Sequence, residues 1–142
     1  MRIALEEAQK AFDAGDVPIG AVLVKNDQIL AKDHNRREAL KDISAHAEIL
    51  VMKKASQLLD NWRLNGTTLY VTLEPCPMCA SAIMDARIRR LVYGARNTVQ
   101  GAILSRFNFP EDLADINKIL VTEGVLESQC SQILKSFFEM WR

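Results

Sequence analysis

Hydrophobic and polar residues follow two different periods along this chain. Four segments carry apolar side chains at helical spacing and are predicted to form helices: residues 2–14, 45–59, 77–87 and 126–140. Five shorter runs are apolar, aromatic or β-branched and are predicted to form strands: residues 19–25, 29–33, 67–73, 90–93 and 119–122. Asn26-Asp27 indicates a hairpin turn between the first two strands, and Gly94 is expected to end the fourth.

The order of these elements limits the architecture. Helices and strands alternate with short connections, apart from residues 95–117, which we expect to be mostly loop. Such an order is typical of an α/β fold in three layers (α/β/α), with helices on both faces of a mixed five-stranded sheet. The chain contains no internal repeat, low-complexity tract or linker, so we expect residues 1–142 to form a single domain.

Composition and charge exclude some classes of function. Hydrophobic residues make up 49% of the chain and charged residues 25%, which is ordinary for a soluble domain. The 18 basic residues balance 18 acidic ones, and this zero net charge argues against a general polyanion binder. Two groups of basic residues would each suit either a local phosphate-binding patch or plain solvated surface: Arg87, Arg89, Arg90 and Arg96, and Lys32, Arg36, Arg37 and Lys41.

The three cysteines indicate a reducing compartment. Cys76 and Cys79 form one Cys-x-x-Cys motif, which is more typical of metal or redox chemistry than of a disulfide framework. Cys130 lies in a helical pattern, where it would be a buried small hydrophobe or, alternatively, a fourth metal ligand. No apolar run approaches the roughly 18 residues of a membrane span, and the acidic start of the chain is unlike a signal peptide. We therefore expect a cytoplasmic protein without a membrane partner.

One imidazole and two thiols are spaced to bind a zinc ion. His46 lies at the head of a predicted helix, and Cys76 and Cys79 lie where a strand ends and the next helix begins. The partial positive charge of a helix start favours the thiolate, which is the form that binds metal. His46 favours zinc over a redox role for the cysteines. Three protein ligands leave tetrahedral zinc one open position, where a water can bind and be acidified.

Glu48 is the expected catalytic residue beside this site. Residues two apart on an ideal helix point about 200° apart, so His46 and Glu48 can share a site only in the first turn, with the ion beyond the helix end. A carboxylate there can move protons between water, a ring nitrogen and a leaving amine. The pattern His-x-Glu followed by Pro-Cys-x-x-Cys is the signature of zinc deaminases. Asn35 and, more weakly, His34 are candidate substrate contacts, and Glu74 is a candidate helix cap or support for the metal ligands.

Several segments closely resemble the bacterial tRNA-specific adenosine deaminases, a branch of the cytidine deaminase-like superfamily. They are GDVPIGAVLV (15–24), AHAEIL (45–50), WRL (62–64), GTTLYVTLEPCPMC (66–79) and RLVYGA (90–95), with EGVLE (123–127) and FF (137–138) near the end. The zinc motif is shared across the superfamily, whereas the flanking segments favour the tRNA branch. The likeness covers nearly the whole chain.

The resemblance implies a cytidine deaminase-like fold and a zinc-dependent hydrolase. This enzyme would be a homodimer, bind one zinc per chain and convert adenosine to inosine at the wobble position of a tRNA anticodon loop. By the same resemblance His46, Cys76 and Cys79 would bind the metal, and Glu48 would shuttle protons. The substrate-binding residues would be Asn35, Val17, Pro18, Ile19 and Asn97. Asn97 stands where the family commonly has an aspartate near the substrate ribose.

Two other functions remain open at this point. A zinc deaminase could act on a free base or nucleoside such as guanine or cytosine, and a deaminase-like fold could serve only as a structural zinc module or partner subunit. Residues 95–117 and the last helix should discriminate, because a tRNA enzyme needs an open pocket with positive charge at its rim and a free-base enzyme needs a closed one. Glu48 argues against the structural module, which has no use for it.

Overall fold

The computed structural model describes residues 1–141. Within this range the helices and strands are, in chain order, α1 (Arg2–Asp13), β1 (Gly20–Lys25), β2 (Gln28–His34), α2 (Arg37–Leu40), α3 (Ala47–Leu59), β3 (Thr68–Leu73), α4 (Pro77–Asp85), β4 (Arg90–Ala95), α5 (Phe109–Asp112), β5 (Leu120–Thr122) and α6 (Glu127–Met140). No helix in the described range is both long and apolar enough to cross a bilayer.

The strands form one mixed five-stranded sheet, as predicted, and their order in the sheet is β2-β1-β3-β4-β5. β1 pairs antiparallel with β2 and with β3, whereas β3, β4 and β5 run parallel. α1 packs with α6 and α3 packs with α4, and both pairs contact the sheet. The predicted α/β class and its layered arrangement are therefore confirmed. The carboxyl ends of β3 and β4 lie side by side, which brings the start of α4 next to the segment that follows β4.

One hydrophobic core joins the sheet to α3 and α4. It includes Leu23, Leu69 and Leu91 from three adjacent strands, with Val51 from α3 and Ile83 from α4, and all five are completely buried. Burying a leucine or isoleucine side chain stabilises the fold by about 1.5–3 kcal/mol relative to leaving it exposed. The core therefore holds α3 and α4 on the sheet, and the predicted metal ligands lie at the starts of these two helices.

The turn between β1 and β2 follows the prediction. Asn26 and Asp27 both have positive φ, at 50° and 61°. A two-residue hairpin turn with positive φ at both positions matches the right-handed twist of the strands, and asparagine and aspartate tolerate that conformation better than most residues.

Gly94 lies inside β4 and does not end it, so that prediction is wrong. A Cβ atom at this position would be 2.3 Å from the Sγ atom of Cys130 on α6. Glycine is needed here because α6 packs directly on the strand, and a close approach of this kind looks the same in the sequence as a turn. Cys130 itself is fully buried.

The short helix α2 was not predicted, because its four residues are too few to show an apolar period. It is positioned by Asp16, which is 1% exposed. Its Oδ1 accepts a hydrogen bond from the backbone N–H of Glu38 at 2.7 Å, and its Oδ2 accepts one from Ala39 at 3.1 Å. Residues 95–117 are mostly loop, as expected, and contain only the short helix α5 within the described chain.

Candidate active site

The three predicted metal ligands lie at the starts of two helices. His46 immediately precedes α3 and has an extended backbone, with φ −76° and ψ 150°. Cys76 precedes α4 in the same way, with φ −73° and ψ 172°, and Pro77 occupies the first helical position, where its missing N–H costs nothing. Cys79 lies in the first turn of α4. Because each helix starts at the carboxyl end of the sheet, the three side chains point into one site.

The donor atoms are close enough to share one ion. The Nδ1 atom of His46 lies 3.4 Å from the Sγ of Cys79 and 3.7 Å from the Sγ of Cys76, and one donor atom from each residue lies within 4.8 Å of the others. Ligand atoms about 2.0–2.3 Å from a tetrahedral zinc are roughly 3.5 Å apart, so both the spacing and the nitrogen–sulfur donor set fit zinc. Among the described residues, Cys130 is not part of this cluster, so the fourth-ligand alternative is not supported.

The site already favours the thiolate. Hydrogen bonding from Cys79, and then from His46, lowers the pKa of Cys76 to about 4. The pKa of Cys79 is shifted in the opposite direction, because its hydrogen bond to Cys76 and its burial both raise it. The hydrogen bond with Cys76 also raises the pKa of His46. Cys76 is thus favoured as the thiolate and Cys79 as the thiol that donates to it, and a cation bound by both sulfurs would displace the proton of Cys79.

Glu48 lies in the first turn of α3 and is 4% exposed. His46 lies just before the helix and has an extended backbone, so its side chain and that of Glu48 need not point about 200° apart as they would within a regular helix. The structure therefore has both residues at the start of α3, as expected. Burial raises the pKa of Glu48 to about 7. A carboxyl group with this pKa can both accept and donate a proton at neutral pH.

A cavity of about 460 Å³ brings the predicted residues together. Its lining includes one predicted metal ligand from each helix start, the predicted catalytic carboxylate and four of the five expected substrate contacts: His46, Cys76, Glu48, Val17, Ile19, Asn35 and Asn97. Within the described chain, Pro18 and Cys79 are not part of this lining. The Nδ1 atom of His34 lies 3.2 Å from Oε1 of Glu7 on α1. The structure therefore does not support His34 as a substrate contact.

Asn35 is held by two hydrogen bonds within the protein. Its Nδ2 donates to the carbonyl of Val17 at 3.2 Å, and its Oδ1 accepts from the N–H of Arg37 at 3.1 Å. A side-chain amide has two N–H donors and an oxygen with two lone pairs. One donor and one acceptor position therefore remain for a ligand, in a fixed orientation.

Several lining residues were missed as site residues. Arg37 and Arg96 both line the cavity. Each belongs to one of the two basic groups, but the sequence does not indicate which member of a group faces the cavity. The side chain of Arg96 is 57% exposed and donates to Glu123 at 2.8 Å. Residues 98–100, together with Leu134 and Phe138 from α6, complete the wall. Val99 is 75% exposed, so this wall faces solvent.

Comparisons with known proteins find deaminases that match the whole chain. A family model described as MafB19-like deaminase matches residues 1–142. The tRNA-specific adenosine deaminase of Bacillus subtilis (strain 168) is 45% identical over 142 residues, which cover 100% of this chain and 88% of that protein.

Two solved structures from different branches of the superfamily differ in how similar they are to this chain. A chain from studies of A-to-I editing by tRNA:A34 deaminases at the wobble position of transfer RNA superposes with a TM-score of 0.91 and 46% identity, covering 94% of this chain and 97% of that one. The guanine deaminase of Nitrosomonas europaea gives a TM-score of 0.83 and 26% identity, covering 96% of this chain and 81% of that one. The resemblance seen in the motifs is thus confirmed: this chain is a hydrolytic deaminase and belongs to the family of the tRNA-specific adenosine deaminases.

Proposed function

We propose that this protein converts adenosine to inosine at the wobble position of a tRNA anticodon, by zinc-dependent hydrolysis. The observation that carries the proposal is the cavity that joins the His46, Cys76 and Cys79 cluster to buried Glu48 under a rim with arginines. The names of the relatives support the choice of substrate. We take the whole of residues 1–142 as one deaminase domain that acts in the cytoplasm.

Deamination removes the amino group from an adenine ring carbon as ammonia and leaves oxygen in its place. Zinc bound by His46, Cys76 and Cys79 would supply a Lewis acid that lowers the pKa of a water molecule to near neutrality. Glu48 would take one proton from that water as it attacks the carbon and deliver it to the adjacent ring nitrogen. It would then take the second proton from the added hydroxyl and deliver it to the amino group, which leaves as ammonia. Water and adenosine thereby balance inosine and ammonia.

The walls of the cavity would orient the nucleotide. Val17 and Ile19 line the cavity, and the fixed amide of Asn35 offers one donor and one acceptor to the base or its sugar. Asn97 is assigned to the ribose by resemblance. A single-stranded loop suits such a site because its bases are already unstacked.

The rim favours an RNA substrate over a free base. Arg37 is exposed on one side of the cavity, and Arg96 lies on the other, with its guanidinium largely in solvent. Arginines bind phosphates with bidentate hydrogen bonds, which position a nucleic acid without reading its sequence. A few such contacts are compatible with a chain of zero net charge.

The position of the adenosine tests the proposal. The zinc-loaded protein should form inosine in an anticodon stem-loop whose single loop adenosine occupies the wobble position. It should form little or none when the same adenosine is moved to a neighbouring loop position, as measured by nuclease digestion and chromatography of nucleosides. Equal deamination at both positions would contradict wobble specificity.

We also propose that the active protein is a homodimer. An apolar groove of about 480 Å³ lies between α3 and α4, and it is lined by Ile49, Met52, Trp62, Ala82 and Ala86 among others. Trp62 is 53% exposed in the single chain, and it adds to a contiguous apolar patch of the kind that marks protein–protein contacts. Light scattering should give about twice the 16.0 kDa mass of one chain, and the mass of a single chain would contradict the dimer.

A further inference from the structure

Glu74 at the end of β3 makes an unusual set of hydrogen bonds. It is 1% exposed and lies two residues before the first metal-binding cysteine. Its Oε2 accepts from the backbone N–H groups of Ile103, Leu104 and Ser105, at 3.1, 2.9 and 3.0 Å. Its Oε1 accepts from the N–H of Asn97 at 3.2 Å and from the hydroxyl of Ser105. One buried carboxylate therefore binds both ends of the segment 97–105.

The segment 97–105 forms part of the cavity wall. Its first four residues, Asn97 to Gln100, line the same cavity as His46 and Cys76. The Oδ1 of Asn97 accepts from the N–H groups of Val99 and Gln100, at 3.3 and 3.1 Å, so the Asn97 side chain orders the exposed tip. The N–H of Ala102 also donates to the carbonyl of Pro75, at 2.9 Å. The wall is thus attached to the same turn that carries the metal-binding cysteines.

Gly101 shows how closely the segment approaches Glu74. A Cβ atom at this position would lie 2.5 Å from the carboxylate carbon and from Oε2 of Glu74, and 2.4 Å from the carbonyl of Asn97. Only a residue without a side chain lets the backbone surround the carboxylate in this way. Two residues therefore make this contact possible: Glu74, which directly follows β3, and Gly101 in the wall.

We propose that Glu74 is a positioning residue, whose carboxylate sets the place of the 97–100 wall relative to the His46, Cys76 and Cys79 cluster and thereby governs substrate binding. This role rests on the proposed function. Glu74 lines the cavity beside the wall, but its carboxylate oxygens are occupied by backbone donors. It acts through Asn97 and its neighbours, which form the wall, and leaves the proton transfers to Glu48.

The Glu74→Gln variant tests this assignment. The amide keeps the shape of the side chain but replaces an accepting oxygen with N–H donors that face backbone N–H groups. Loss of charged hydrogen bonds of this kind should raise KM for the anticodon stem-loop by on the order of 10-fold or more, with kcat changed much less. The content of one zinc per chain should not change.

Hydrogen–deuterium exchange gives a readout that does not depend on activity. The amides of Asn97 and of residues 103–105 should exchange faster in Glu74→Gln by roughly 10-fold or more, because their acceptor is lost, while the core strands keep their protection. Ser105→Ala removes only the hydroxyl donor and should fold readily. It should give a smaller rise in KM in the same direction.

Glu7→Gln is the matched control. Glu7 is also buried, at 4% exposure, but it lies on α1 and bonds to Lys10 and His34. The same chemical change there should leave both KM and exchange of residues 97–105 unaltered.

Three results would overturn the role of Glu74: an unchanged KM, unchanged exchange of the segment, or loss of zinc as the main defect. A wild-type protein that forms no inosine would instead refute the proposed function, and the exchange experiment would still report on the attachment of the wall.

Discussion

The Glu48→Ala variant will retain one zinc ion per chain and lose deamination. Glu48 is buried beside the metal cluster and does not belong to it, so its removal leaves His46, Cys76 and Cys79 in place. The reaction needs two proton transfers, and among the described residues that line the cavity the other acid is Glu74, whose carboxylate is bound to the 97–105 segment. General acid–base groups typically contribute about 10²–10⁴-fold to a rate, and we expect a loss of at least 10³-fold in kcat.

Metal content and turnover must be measured on the same preparation. Glu48→Gln is the matched variant, because it preserves the volume of this buried side chain and removes its acid–base function. Both variants should contain zinc by atomic absorption and melt at nearly the wild-type temperature. Turnover by either variant within about 10-fold of wild type would exclude Glu48 from the role of proton shuttle.

The Cys76→Ala variant will lose zinc and much of the stability that zinc confers. Cys76 and Cys79 lie at the start of α4, and His46 lies at the start of α3. An ion bound by all three would therefore cross-link the starts of two helices. A ligand that binds only the folded state stabilises it by about 4 kcal/mol when its concentration is 1,000 times Kd. We therefore expect a clear fall in melting temperature. A chelator should lower the melting temperature of the wild type but not that of Cys76→Ala.

Cys130→Ala is the control for removing a buried thiol. Cys130 is completely buried against Gly94 but lies outside the donor cluster. This variant should keep one zinc per chain, and its melting temperature should remain sensitive to a chelator, with a loss of about 1 kcal/mol from the small cavity. A full zinc content in Cys76→Ala would show that the assigned ligand set is wrong.

The sequence was most informative where a pattern is local. Apolar periods predicted the long helices and the five strands, and the resulting order predicted the mixed sheet. The position of the metal ligands at helix starts was also predictable, because proline at position 77 and the strand before it mark the boundary. The placement of His46 before α3 required a chemical argument as well, since periodicity alone would have pointed His46 and Glu48 in different directions.

The features that the sequence did not predict depend on contacts between distant segments. The sequence predicts a strand end at Gly94, because a glycine required by the close packing of α6 looks the same locally as a glycine in a turn. The bonds from residues 97–105 to Glu74 span 23–31 positions and use backbone donors, which carry no side-chain pattern. Arg37 and Arg96 lay within the basic groups, but only the fold selects which members reach the rim.

The most direct test of the proposed function compares substrates of different size in one assay. Purified zinc-loaded protein should be incubated separately with an anticodon stem-loop that carries a wobble adenosine, and with free adenosine, cytidine and guanine. We predict inosine in the stem-loop and no turnover of the small molecules. Turnover of a free base or nucleoside with an unreacted stem-loop would contradict the account, because it would retain the hydrolytic chemistry of Glu48 but transfer the protein to the small-molecule branch of the superfamily.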